Sequence, residues 1–321
     1  MQSRPLIVRL RNWVGDVILG VPALNLLASH GYQLQLVGKG WAPALLAGQG
    51  WPTHVRPSTW RARVAQLRGL RHAAQAADSG FDARENALVL PTSFSGALEM
   101  RLAGLRAVGY AQEARGFLLA RSEPITYGGH ALTSYWQLAC RLLRIEQPAP
   151  SSIGLRLAAN DIARADALMH QHGITPGFIV ICPFAGGTFE KLDKTWPHFP
   201  AFARELVSSG HQVIACPGPG EEMLLREHYP GVMALEGVKL GAYGALLQRA
   251  ALLVSNDTGP GHLAAAVGGR VISVLGPTKP EQWAPWGPTV TIVRRPQPPD
   301  AIAWPESAEV MRRVREILAA A

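Results

Sequence analysis

Leu252-Leu253-Val254-Ser255-Asn256-Asp257-Thr258-Gly259-Pro260-Gly261-His262-Leu263-Ala264-Ala265-Ala266 passes from an apolar strand, residues 252–255, through a glycine turn into a helix. Short apolar strands alternating with helices build a parallel sheet covered by helices on its faces. The segments around this stretch keep the same rhythm. Residues 178–182 form a fully apolar strand. The next helix carries Phe199, Phe202, Ala203, Leu206 and Val207 at i, i+3, i+4, i+7 and i+8, one apolar stripe, and Gly210 ends it. Residues 212–216 and 270–275 read as further strands. Upstream, residues 161–171 read as a helix capped by Asn160 or Asp161 and stopped by Gly173. The last helix sets Val310, Val314, Ile317 and Leu318 on one face, with Arg312, Arg313 and Arg315 elsewhere.

The first half repeats the pattern. A strand over residues 5–10 leads into the turn Asn12-Trp13-Val14-Gly15, and a helix runs through Leu27 to end near Gly31. Pro22 lies inside it, so the helix either kinks there or starts late. Residues 33–37 and 87–90 read as strands. The Pro/Ser-rich stretch Gln147-Pro148-Ala149-Pro150-Ser151-Ser152 marks a junction. The expected organisation is two Rossmann-like domains, residues 1–150 and 151–321, facing each other across a cleft. The last helix is free to pack back on the N-terminal one. In such sheets ligands bind beyond the carboxyl ends of the strands, so chemistry is sought in the loops that follow strands.

Bulk properties narrow the function classes. The 321 residues exceed what one core usually organises. A hydrophobic fraction of 48% with 17% charged suits a folded protein. The best apolar run, residues 263–275, is broken by Gly268, Gly269 and Arg270, short of the roughly 20 residues a membrane span needs. The N-terminal apolar run after Pro5 lies between Arg4 and Arg9 and is too short for a signal-peptide core, so the expected compartment is the cytoplasm. Three cysteines, Cys140, Cys182 and Cys216, form no Cys-x-x-Cys pair; Cys182 and Cys216 end apolar runs and read as small buried fillers. The net charge of +8 draws anionic partners, whether phosphorylated substrates or anionic headgroups. No nucleic-acid motif is present, and nucleic acid is not an expected partner.

Three motifs carry the chemistry. In the opening stretch, Gly259 and Gly261 allow close backbone approach, and the helix start offers free N–H groups to an anion. Thr258 supplies a hydroxyl and His262 an imidazole N–H. Asp257 would repel phosphate, so it reads as a helix cap or a sugar-hydroxyl ligand. A plain capped turn explains the motif as well. Gly259-x-Gly261-x-x-Ala264 matches the dinucleotide fingerprint in form, but the next strand ends in Gly276-Pro277-Thr278, without the acidic residue expected about 20 residues on. The second motif, Pro183-Phe184-Ala185-Gly186-Gly187-Thr188, precedes Asp193-Lys194-Thr195-Trp196-Pro197. Thr188 and Lys194 suit a diphosphate, the lysine as a point charge; a solvated surface lysine is the plainer reading. The third, Trp13-Val14-Gly15-Asp16-Val17, places an aspartate near a helix start, where the helix dipole favours its charge. Facing a cleft it can act as a general base; on its residues alone it reads first as a helix cap. A basic stretch, Arg56, Arg61, Arg63, Arg68 and Arg71, runs beside a buried face of Val64, Leu67 and Leu70. It is either a solvated helix or a contact for an acidic acceptor. No Asp-x-Asp pair occurs, so no metal and no cofactor is expected, and lysine, threonine and helix N–H groups are left to stabilise a leaving diphosphate.

In order and spacing these motifs resemble glycosyltransferase family 9, the ADP-heptose:lipopolysaccharide heptosyltransferases. The resemblance rests on Val14-Gly15-Asp16-Val17, Lys194-x-Trp196-Pro197, and Asn256-Asp257-Thr258-Gly259-x-x-His262 followed by Gly276-Pro277-Thr278, and it runs over nearly the whole chain. Leu90-Pro91-Thr92-Ser93-Phe94 and Trp13-Val14-Gly15-Asp16 look closer to the heptosyltransferase II branch. It implies a GT-B fold, acceptor on the N-terminal domain and donor on the C-terminal one. It implies inverting, metal-independent transfer of heptose from ADP-heptose to an anionic lipopolysaccharide inner-core acceptor, with possible peripheral contact at the inner membrane. It makes Asp16 the catalytic base and assigns Thr188, Lys194, Glu222, Asp257, Thr258, Gly259 and His262 to the donor. Glu221 is nearly as good a ribose contact as Glu222. Arg61 and Arg63 fall where the family places basic acceptor contacts. The chain departs from the pattern at Pro260-Gly261, and Glu190 and Asp193 put acidic groups next to the diphosphate residues. Two rival functions fit the same motifs: a nucleotide-sugar epimerase of GT-B-like fold, and a non-catalytic nucleotide-sugar-binding protein.

Overall fold

The computed structural model describes residues 4–125, 128–298 and 301–320. The chain divides into two compact units, Met1–Pro150 and Ser151–Ala321. The first runs β1 (Arg4–Arg9), α1 (Val14–Ser29), β2 (Tyr32–Gly38), α2 (Ala42–Leu46), β3 (Thr53–Val55), α3 (Trp60–Ala77), β4 (Ala87–Val89), α4 (Phe94–Leu102), β5 (Ala107–Tyr110), β6 (Arg121–Glu123) and α5 (Ala131–Leu143). The second runs α6 (Ala159–Gln171), β7 (Ile179–Cys182), β8 (Thr188–Phe189), β9 (Leu192–Asp193), α7 (Phe199–Ser208), β10 (Val213–Ala215), α8 (Glu222–His228), β11 (Met233–Ala234), α9 (Leu240–Arg249), β12 (Leu252–Asn256), α10 (Gly259–Ala266), β13 (Val271–Leu275), α11 (Pro280–Trp283), β14 (Val290–Arg294) and α12 (Ser307–Ala319).

The two sheets share one topology. The first orders its strands β3-β2-β1-β4-β5-β6 and the second β11-β10-β7-β12-β13-β14. All pairings in both are parallel. Within each unit this is the 3-2-1-4-5-6 order of a Rossmann sheet, as the α/β reading expected. In each, the winding reverses between the first and fourth strands, β1 and β4 or β7 and β12. The ends of those strands diverge there and open a crevice at the carboxyl edge. The central strands are buried on both faces, which is why they read as apolar runs rather than alternating ones.

Local chemistry explains several boundaries. The helix α1 begins at Val14 and carries Pro22 within it, so the late start allowed by the proline does not occur. Gly31, at φ 85°, provides the left-handed exit. The N-cap of α6 is Ala158, with no side-chain cap bond, so neither Asn160 nor Asp161 caps it. Asp161 instead points at Gly241, where a Cβ would meet its carboxylate at 2.1 Å; the bare glycine lets α6 and α9 close on each other. The stripe on α7 is buried as read, with Phe199, Phe202, Ala203 and Leu206 in the second core. The last helix lays Val310, Met311 and Val314 in that same core. Cys182 and Cys216 keep partial exposure, a correction to the reading of both as buried fillers, although burial still pushes the Cys182 thiol up to about 12. Among the described residues no helix is long and apolar enough to cross a membrane.

Candidate functional site

Asp16 is the third residue of α1, one turn after β1 ends at the crevice between β1 and β4. The helix N-cap is Trp13, with no side-chain cap bond, so the reading of Asp16 as a cap does not hold. Its carboxylate is held by distant parts of the unit. Tyr135 of α5 donates its hydroxyl to Oδ1 at 3.1 Å. Arg11 lies with Nε 3.4 Å from Oδ2. Burial first, and Asp16 next, push the Tyr135 phenol well above its ordinary value, so it stays a proton donor to the carboxylate. Burial works against the charge on Arg11, but Tyr135 and Asp16 outweigh it and raise its pKa. Arg11 also reaches Thr92 Oγ1 at 3.5 Å, joining the loop after β1 to the loop after β4. The result is a buried carboxylate with a fixed rotamer at the crevice mouth.

Beside it lies a basic cluster. Arg56 and Arg63 both bond the buried Glu99, at 2.6 and 3.3 Å. Arg9, almost wholly buried, donates to Leu10 O and to Asn12 Oδ1. Burial first, then Arg56, lowers the Arg9 guanidinium to about 10. Arg63 also donates to the carbonyls of Pro57 and Ser58, so it braces the start of α3 rather than lying free. Arg61 is exposed on that helix.

In the second unit, loops leaving β7, β10, β12 and β13 bring the other candidates to the carboxyl edge. Lys194 donates to Asp257 O at 3.0 Å and to its Oδ2 at 3.2 Å. Thr278, buried after β13, donates to the same Oδ2 at 2.8 Å. Asp257 therefore does not cap α10; Thr258 is the N-cap, again without a side-chain cap bond. Lys194 balances the Asp257 charge and Thr278 holds the carboxylate in place, so the pair as a whole carries no net negative charge at this edge. Asn256 ties the two lips of this crevice: its amide nitrogen donates to Pro183 O at 2.5 Å, and its oxygen accepts Trp196 N–H at 3.0 Å. Neither Asn256 nor Thr278 was given a role from the sequence, although both lie inside the quoted motifs. Trp196 is fully buried, packs on Phe199 and Phe202, and donates its indole N–H to Pro305 O. It anchors the loop that carries Lys194.

The two departures from the family pattern have local explanations. Pro260 sits in the first turn of α10, where a missing N–H costs nothing. A Cβ on Gly261 would meet Ser255 Oγ at 2.9 Å, so glycine lets the helix start close onto β12. The acidic residues have partners of their own. Asp193 accepts Thr195 N–H, and Glu190 stands at an exposed hairpin tip 3.8 Å from Lys279. That hairpin, β8 paired with β9, places Thr188 in the open at its base. After β10, Glu221 accepts Gly218 N–H at 2.7 Å and Glu222 accepts Gly220 N–H at 2.8 Å. Both carboxylates organise this turn. His262 is buried in the first turn of α10. No group of three metal-ligating side chains occurs among the described residues.

The family model described as glycosyltransferase family 9 (heptosyltransferase) matches residues 76–303. The curated Lipopolysaccharide heptosyltransferase 3 of Escherichia coli is 33% identical over 122 residues, 36% of this chain and 35% of that protein. The match thus spans little more than a third of the curated relative's length. Among solved structures, the E. coli ADP-heptose lipopolysaccharide heptosyltransferase II aligns with a TM-score of 0.78 at 20% identity, over 99% of both chains. A glycosyl transferase family 9 protein from Veillonella parvula aligns with a TM-score of 0.82 at 15% identity, over 100% of this chain and 99% of that one. At these identities the likeness is one of fold.

Proposed function

Because this chain belongs to glycosyltransferase family 9, we propose that it transfers heptose from ADP-heptose to an inner-core sugar of lipopolysaccharide. The observation that carries the proposal is the tie of Lys194, Asp257 and Thr278 at the crevice of the second sheet, beside the start of α10. It is a neutralised anion-binding edge with a lysine already in place. The second unit takes the donor. Lys194, Thr188, Thr258 and the α10 start meet the diphosphate, Asp257 and His262 meet the sugar, and Glu221 or Glu222 meets the ribose. The first unit takes the acceptor, with Arg61 and Arg63 toward its acidic groups.

The step is a direct displacement. The acceptor hydroxyl oxygen attacks the anomeric carbon as the bond from that carbon to the diphosphate oxygen breaks. The hydroxyl proton passes to Asp16, and the bonding pair leaves with ADP. Attack opposite the leaving group inverts the anomeric configuration. Lys194 and the Thr188 and Thr258 hydroxyls take up the charge that grows on the diphosphate, the work a metal ion does in other transferases. The net charge of +8 supports peripheral contact with an anionic membrane surface at the cytoplasmic face, where a lipid-linked acceptor would be met.

Calorimetric titration tests the donor assignment. Hydrogen bonds to charged groups contribute about 1.5–3 kcal/mol, so Lys194→Ala should weaken ADP-heptose binding by about 10–100-fold. Unchanged affinity and unchanged transfer rate would remove Lys194 from the site.

A further inference from the structure

The exposed aromatic side chains among the described residues are Trp13, Phe94 and Phe117, at 64%, 37% and 74% exposure. Scattered exposed apolar residues are ordinary. These three are not scattered. Trp13 follows β1, Phe94 follows β4 and Phe117 follows β5, and β1, β4 and β5 are consecutive neighbours in the first sheet. All three therefore stand on one carboxyl edge, the edge that carries Asp16.

The edge is also built to hold them. Phe94 and Phe117 pair with ring centroids 6.2 Å apart and planes tilted by 54°, and both rings stay exposed. The Phe94 N–H is held by Glu113 Oε2 at 2.7 Å. Beneath them Arg115 is fully buried, and its guanidinium donates to the carbonyls of Tyr110, Pro91 and Ser93. A buried cation with carbonyls for partners is a costly brace, and what it braces is the pair of loops carrying these rings. Charge completes the picture. Arg9, Arg11, Arg56, Arg63 and Arg115 stand against three carboxylates, Asp16, Glu99 and Glu113, leaving a positive surplus on the same edge.

We infer that Trp13, Phe94 and Phe117 form a stacking platform for the acceptor, an anionic saccharide whose sugar rings lie on the aromatic faces while its acidic groups meet the arginines. This rests on the proposed transfer to lipopolysaccharide core and adds the residues that select the acceptor. The axial C–H groups of a pyranose give it one apolar, slightly positive face, complementary to the negative face of an aromatic ring. A phosphate or carboxylate on the same sugar supplies the charge.

The test is calorimetric binding of a delipidated, phosphorylated inner-core oligosaccharide to the full chain without donor. Wild type should bind, Trp13→Ala and Phe117→Ala should each bind about 10-fold more weakly, and Trp13→Phe should stay near wild type. ADP-heptose affinity should not change in any of them. Failure of wild type to bind the oligosaccharide, or wild-type affinity in both alanine variants, overturns the platform. So does a defect confined to attachment on anionic phospholipid vesicles, which would make the rings a membrane contact. A wild type that binds this saccharide but transfers no heptose to it sinks the proposed reaction and leaves the platform standing.

Discussion

Asp16→Asn should lower kcat by about 10²–10⁴-fold, the usual contribution of a positioned general base, while ADP-heptose affinity stays unchanged. The amide is nearly isosteric with the carboxylate. Its oxygen can still accept the Tyr135 hydroxyl, so the rotamer and the packing of α1 on α5 should persist. What is lost is the site for the acceptor proton. Tyr135→Phe is the matched comparison: it removes one hydrogen bond and keeps the base. A hydrogen bond to a charged carboxylate contributes about 1.5–3 kcal/mol, so the loss should not exceed about 10–100-fold. Initial rates of heptose transfer, with circular dichroism to establish folding, separate the two. A folded Asp16→Asn variant with near-normal kcat would show that the proton goes elsewhere.

Trp196→Ala should destabilise the protein by about 3–5 kcal/mol, the range for deleting a buried Trp or Phe side chain. The indole is fully buried between Phe199 and Phe202, and its N–H pairs with Pro305 O, which the substitution would leave buried without a donor. For a unit of this size that corresponds to about 6–20 °C in Tm. The effect should reach the site. The Trp196 backbone N–H bonds Asn256, and Lys194 lies two residues before it, so donor binding should weaken with stability. Trp196→Phe keeps an aromatic core and should cost less than the alanine variant. A thermal melt of Trp196→Ala that overlays wild type would mean the tryptophan does not hold this loop.

The two sheets were legible because their central strands are buried on both faces and read as apolar runs closed by glycine or proline. The short edge strands were not. Those at residues 53–55 and 121–123 are three residues long with polar members, and β11 has two. The strand β5 hides behind Gly109, which is required because a Cβ there would meet Val89 Cγ1 at 2.6 Å. The hairpin β8–β9 turns on Glu190 and Lys191, both at positive φ, a conformation that Asn-Gly would have announced and these residues do not. The site divides in the same way. The chain position of Asp16 after a strand was readable, but its partner Tyr135 is 119 residues away. Of the two readings of Asp257, cap or sugar-hydroxyl ligand, the cap fails, and nothing local shows that Lys194, 63 residues upstream, and Thr278, 21 downstream, converge on it. Residue order can locate a crevice; which side chains neutralise one another inside it is decided by the sheet.

The most direct test follows ADP-heptose by proton NMR with the wild-type protein, first alone and then with a truncated inner-core acceptor. Transfer by direct displacement predicts release of ADP when acceptor is present, and a heptosyl product whose anomeric configuration is opposite to that of the donor. Conversion of the donor sugar to an epimer in the absence of acceptor would contradict it, and so would a folded protein that binds donor yet releases no ADP with any core acceptor.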